Sequence, residues 1–125
     1  MHYCGLAFIQ ADADIETRLA ALMAPYEETN PDGKWDWYVL GGRWPGYLTE
    51  PTGGEILPAR KVPLNVLRHL PHALILPDGR WLERETWNSE REDFDRIEDR
   101  LWAETFKHAL RDYADHLAVV VDYHS

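Results

Sequence analysis

Two histidines and two aspartates carry the clearest chemical potential in this chain: His2, Asp36, Asp122 and His124. Asp122 and His124 are two residues apart, so on an extended strand they face the same side. His2, Asp122 and His124 could together offer a zinc, manganese or iron ion a site with open positions. With Asp36 added, the same set would serve as a catalytic acid–base group acting on a phosphoester or nucleotide. No HExxH or CxxC spacing accompanies them. Polar residues at strand ends near a terminus commonly form only a solvated network. The reading with no catalytic residue and no cofactor therefore stands first, and a zinc or manganese enzyme is the alternative.

A second constellation is aromatic. Trp35, Trp37 and Trp44 surround Arg43, which follows Gly41-Gly42. An arginine stacked on an indole still offers its planar fork to a carboxylate or phosphate, and the glycine pair lets the backbone approach a ligand closely. The structural alternative is a clamp in which Arg43 stacks on Trp and pairs with Asp36 or another acid. The pair is not a phosphate loop, because the GxxxxGK[ST] form is missing. A third feature is the charge run over 90–100, with six acids and three arginines. It includes Glu92, Asp95, Glu98 and Asp99, which read either as a solvated helix face or as a docking surface for a basic partner. Glu92 and Arg96 stand at the spacing of a favourable helix pair. Trp35, Trp37, Arg43, Trp44 and these four acids are the candidate binding residues.

Nucleophile chemistry has little support. Ser89 is better used as a helix cap, and no Ser–His–Asp or Cys–His pattern accompanies the six histidines. The single cysteine, Cys4, lies inside an apolar stretch and reads as a small buried hydrophobe; one thiol forms no internal disulfide, which fits a reducing cytosol. Formal net charge is −9, from 22 acidic and 13 basic side chains. Such a balance repels phosphate and excludes nonspecific duplex binding, which needs a basic face. No run of 18 apolar residues indicates a membrane span, and the first residues lack the basic region of a secretion signal. These features predict a cytoplasmic protein.

The elements that position these residues follow from periodicity. The apolar stretch YCGLAFIQ over 3–10 predicts a buried strand. Ile15, Leu19, Leu22, Met23 and Tyr26 predict an amphipathic helix after acidic caps. KWDWYVL over 34–40 predicts a second strand, with Trp35, Trp37 and Val39 on one face. A turn over 44–47, an irregular loop over 49–60 and a short helix over 64–70 follow. This connection is long enough to hide an extra strand. HALIL over 72–76, the Pro77-Asp78-Gly79 turn and RWLE over 80–83 predict a hairpin. Ser89-Glu90-Arg91-Glu92 has the form of a capping box and predicts the longest helix, to about Ala114. Its apolar stripe shifts phase between Leu101 and Trp102. LAVVVDY over 117–123 predicts a central strand.

At 125 residues the chain predicts one domain over 1–125. The order predicts an α+β fold, a ferredoxin-like βαββαβ sandwich. Its antiparallel sheet carries two helices on one face, with a long loop after the second strand. In that topology the first and last strands are antiparallel neighbours. His2 then falls at the sheet end that holds Asp122, His124 and Asp36.

Lys34-Trp35-Asp36-Trp37-Tyr38 with Gly41-Gly42-Arg43-Trp44 resembles a group of small uncharacterised proteins of bacteriophages and prophages, largely actinobacterial. His2-Tyr3, Pro77-Asp78-Gly79-Arg80-Trp81 and Val120-Val121-Asp122-Tyr123-His124 extend the likeness over most of the chain. It departs at Tyr123, where Cys is as frequent, and at Ser125, where an aliphatic residue is usual. The resemblance implies a source and no activity. By analogy with small phage proteins that disable host defences, it implies an accessory protein that binds and blocks a host protein, such as a defence complex, in the manner of an anti-CRISPR inhibitor. The alternatives are the phosphoester or nucleotide enzyme above, and a virion component or homodimer built on the open sheet face.

Overall fold

The apolar stretches at the two ends of the chain become its two longest strands, and they pair with each other. In this computed structural model, residues 1–44, 47–48, 55–63 and 69–125 are described. Strand β1 (His2–Gln10) lies antiparallel to β8 (His116–His124), with His2 opposite His124 and Gln10 opposite His116. On the outer side of β8, β2 (Trp37–Leu40) pairs with its C-terminal half and β3 (Ile56–Pro58) with its N-terminal half, both antiparallel. On the outer side of β1, β4 (Ala73–Ile75) pairs in parallel, and β5 (Trp81–Glu83) closes that edge antiparallel. These make a six-stranded sheet. A separate ribbon joins β6 (Glu85–Asn88) to β7 (Asp93–Arg96).

Both faces of the central strands are apolar, so both need a cover. Helix α1 (Ile15–Met23) buries Leu19, Leu22 and Met23 against Ala7, Ile9, Val119 and Val121. Helix α2 (Asp99–Asp112) buries Trp102, Phe106 and Ala109 against the alternate residues Leu6, Phe8, Ala118 and Val120. Trp102 is wholly buried and donates its indole N–H to the Pro71 carbonyl at 2.7 Å. A tryptophan removes about 200 Å² from water, worth roughly 5 kcal/mol of transfer free energy. That makes it the main anchor of α2. At α1, Asp14 caps the N-terminus by accepting the Thr17 amide at 3.2 Å.

The ferredoxin-like expectation is therefore corrected. The sheet is mixed, because β4 lies parallel to β1, and the helices lie on opposite faces. Strands apolar on both sides demand two layers of cover, whereas the predicted sandwich supplies one. The long connection does hold an additional strand, β3. Of its other expected features, most of the short helix falls on 64–68, part of the turn on 45–46 and half of the irregular loop on 49–54, all outside the described residues.

The expected helix from Ser89 to Ala114 is also corrected. Its first third is the β6–β7 ribbon and its turn. Asn88 Oδ1 accepts the backbone N–H groups of Glu90 and Arg91 at 3.0 and 3.2 Å, and Glu92 takes a left-handed φ of 53°. Asn and Asp side chains hold turns in this way. Thr86-Trp87-Asn88 and Asp93-Phe94-Asp95 then alternate as strands do. Trp87 faces Phe94 across the ribbon, edge to face with ring centroids 5.2 Å apart. The apolar stripe shifts phase because Phe94 belongs to β7, while in α2 Leu101 is exposed and Trp102, Phe106 and Ala109 face the core.

Candidate functional site

One end of the sheet gathers the polar chemistry. Register places His2 opposite His124, and Trp37 also opposite His124. The His2 Nδ1 lies 2.8 Å from Asp122 Oδ1, and the His124 Nδ1 lies 2.9 Å from Asp36 Oδ1. The two imidazoles sit edge to face with centroids 5.2 Å apart, and Trp37 stands 5.7 Å from His2. A carboxylate accepts only, so each Nδ1 carries the proton and each Nε2 keeps its lone pair in the neutral ring. The His124 Nε2 in turn receives the terminal ammonium of Met1 at 3.0 Å.

Asp122 is 1% exposed and holds this end together. Its second oxygen accepts the backbone N–H of Arg43 at 3.0 Å. Gly42 makes that approach possible: its φ is +52°, and a Cβ there would meet the Asp122 carboxylate. The Gly-Gly break thus wraps backbone around an acid of the last strand. Chemically, the site holds two imidazoles, each oriented by its own carboxylate, a geometry that serves proton transfer. Among the described residues, no group of three or more His, Cys, Asp and Glu is arranged to hold a metal ion. Here both carboxylates serve as hydrogen-bond acceptors for the rings.

The structure brings together the four strand-end residues and separates the aromatic constellation. Trp35 packs on the α1 side, donating to the Met23 carbonyl at 2.9 Å. Trp44 packs on the α2 side and donates to the Tyr3 carbonyl at 3.3 Å. Arg43 acts through its backbone, and its side chain is exposed. Trp37 alone remains near the imidazoles. The four acids do not share a helix face. Glu92 lies in the ribbon turn, Asp95 in β7, Glu98 at the N-cap of α2 and Asp99 in its first turn. Asp95 pairs with Arg91 at 2.8 Å, and Arg96 pairs with Asp99 and Glu85 at 3.1 and 3.4 Å, so the predicted Glu92–Arg96 helix pair does not form.

Three features escape the sequence reading. Trp87 and Phe94 are 55% and 52% exposed on the ribbon. They line a cleft of about 190 Å³ with Tyr3, Lys34, Glu83 and Glu85. The alternation of ETWN and DFDR about an Asn-led turn was the available signal. A second cleft, on the other side of Tyr3 and His72, is lined by His2, Trp44, His69 and Arg84, and nothing in their spacing announces it. Third, burial pushes the His72 imidazole below its ordinary pKa, with Arg84 adding in the same direction against the pull of Glu83 and Glu85. Burial likewise pushes the Cys4 thiol up to about 12, which keeps it protonated and unreactive.

No helix among the described residues is long and apolar enough to cross a membrane. Comparison with known proteins finds no matching family model, no similar curated protein and no similar solved structure.

Proposed function

We propose that this protein binds a partner protein and covers a basic surface on it, with the β6–β7 ribbon as the leading contact. One observation carries the reading: two large aromatics stand half exposed, paired edge to face, on a ribbon rich in acids. Trp87 and Phe94 occupy one face with the Glu85–Arg96 pair, while Asp93 and Asp95 occupy the other. Exposed tryptophans are frequent anchors of interfaces, and the acids on the ribbon's other face and turn favour a cationic partner and speed its approach. A net charge of −9 favours the same partner, of the kind whose own ligand is nucleic acid. In the phage or prophage reading that partner is a host protein such as a defence complex, met in the host cytoplasm.

The test is capture from an extract of an actinobacterial host. A tagged copy should retain one protein through a salt wash, and the partner should then bind the purified chain. A Trp87→Ala, Phe94→Ala variant should lose it by about thirtyfold or more, the size of a hot-spot truncation. Undiminished capture by that variant would overturn the ribbon as the contact.

A second reading rests on a separate observation, the adjacent His2–Asp122 and His124–Asp36 pairs. They favour a small enzyme that moves protons on a phosphoester or nucleotide. Turnover of an activated phosphodiester, with and without added zinc or manganese, should vanish in His124→Ala. Activity that survives that change removes the reading.

A further inference from the structure

The cleft beside the paired imidazoles has a composition at odds with the rest of the chain. It measures about 190 Å³ and lies at the β1 and β4 ends, on the side facing α2. His2, His69, His72 and Arg84 line it, with Trp44 and Tyr3 as aromatic walls. Among the described residues, none that lines it is acidic, although acids outnumber bases by 22 to 13 in the chain. Asp122 stands behind His2, orienting the ring from outside the cleft wall.

Arg84 supplies the second observation. Its Nε is buried and has no hydrogen-bond partner among the described residues. Leaving a guanidinium N–H unpaired away from water is costly, so an acceptor bound at this position would be stabilised. The arginine is firmly placed. Its backbone N–H donates to the His72 carbonyl at 2.9 Å, and its carbonyl accepts the Ile97 N–H at 3.0 Å, at the root of the ribbon. At the mouth, the exposed His69 ring leans on Trp44 and Tyr47, with centroids 5.3 and 5.1 Å away.

We propose that this cleft binds the phosphate group of a phosphorylated small molecule. Arginine presents a fork of N–H donors that matches phosphate oxygens, and His2 and His69, whose Nδ1 atoms face Asp122 and the Leu70 carbonyl, add Nε2 donors in the charged form that a bound anion favours. These donors come from three places in the fold: β1, the junction beside β4 and β5, and the segment at residue 69. Such a spread suits a tetrahedral oxyanion better than a planar carboxylate. Trp44 and Tyr3 offer flat surfaces to the organic remainder of the ligand. A cleft of this size takes a terminal phosphate and is too small for a nucleic-acid duplex, which the overall charge also repels. The inference goes beyond partner binding and uses no residue of the ribbon. It also gives the second, enzymatic reading a place for its phosphoester, because the phosphate would lie against His2.

Calorimetry on the full chain decides it, with inorganic phosphate, phenyl phosphate and acetate as probes. Saturable one-site binding of inorganic phosphate is expected, tighter binding of phenyl phosphate, and acetate at least tenfold weaker. Arg84→Gln should weaken phosphate binding by about tenfold or more, as the loss of a charge-assisted hydrogen bond does. Where Arg84→Gln fails to fold by circular dichroism, His69→Gln replaces it, since that ring is exposed; a loss of several-fold with unchanged melting is expected. Absence of saturable phosphate binding, equal affinity for acetate, or undiminished binding in the folded variants overturns the proposal. The Trp87→Ala, Phe94→Ala variant should bind phosphate normally, so failure of the ribbon reading and failure of this one are told apart.

Discussion

Both oxygens of the Asp122 carboxylate are occupied, one by the His2 ring and one by the Arg43 backbone, and almost no water reaches the group. Removing it strands two donors at a cost of about 1–3 kcal/mol each. Asp122→Ala should therefore destabilise the fold by about 2–5 kcal/mol in urea unfolding. Gly42→Ala should cost about 2 kcal/mol or more, since it adds left-handed strain to a clash with the same carboxylate. The two changes share one contact, so the double variant should fall short of their sum; strict additivity would show that Gly42 is not shaped to Asp122. His72 makes a pH prediction. Burial holds its folded pKa below the ordinary 6.5, so the unfolded chain takes up the proton first. Stability should be full well above pH 6.5 and fall as the pH drops below it, until the folded imidazole also takes up its proton. His72→Gln should flatten that slope, while the exposed Asp78 and Asp115, whose pKa values are lowered from 3.8, act only in stronger acid. An unchanged slope would place the acid sensitivity elsewhere. The strand-end quartet was legible beforehand, because two-residue parity and the pairing of first with last strand survive a change of fold. The close backbone approach after Gly41-Gly42 was legible too, but sequence gives no sign that Asp122 is what the Arg43 N–H meets.

At the scale of elements, the ribbon shows where local signals mislead. Ser89 and Glu92 carry the letters of a capping box, and the acids and arginines after them tolerate a helix well. What decides against helix is the pairing of Trp87 with Phe94 and the hold of Asn88 on the turn, contacts that periodicity over one window does not register. Glu92 is strained by its own turn, the only non-glycine among the described residues with a positive φ. Glu92→Gly should then stabilise the ribbon by about 0.5–1 kcal/mol, because the left-handed position costs an L side chain about that much. Hydrogen exchange at the β6–β7 amides provides the readout. Slower exchange is expected, and faster exchange would mean that the Glu92 side chain holds the turn. Had Ser89–Glu92 been the start of a helix, the same glycine would have destabilised it, so the sign alone distinguishes the two structures.

At the scale of the molecule, the corrected layer arrangement has an energetic consequence. Alternate residues of β1 serve opposite cores, with Leu6 and Phe8 under α2 and Ala7 and Ile9 under α1. In β8 the same division runs through Ala118 and Val120 against Val119 and Val121. Neither helix can lose its packing without exposing one face of strands that the other needs. The expectation is one cooperative transition in spite of two separate apolar clusters. Phe106→Ala, in one core, should cost about 3–5 kcal/mol, and Leu19→Ala, in the other, about 2–5 kcal/mol. Both should shift the same urea midpoint with little change of slope, followed by far-ultraviolet circular dichroism for the helices and by tryptophan fluorescence, which Trp102 on the α2 side and Trp35 and Trp81 on the α1 side report. Coincident curves for both variants would establish that β1 and β8 couple the layers. Separation of the two probes in either variant would show that one helix leaves while the sheet and the other helix remain, and the two faces would then be independent in stability as well as in composition.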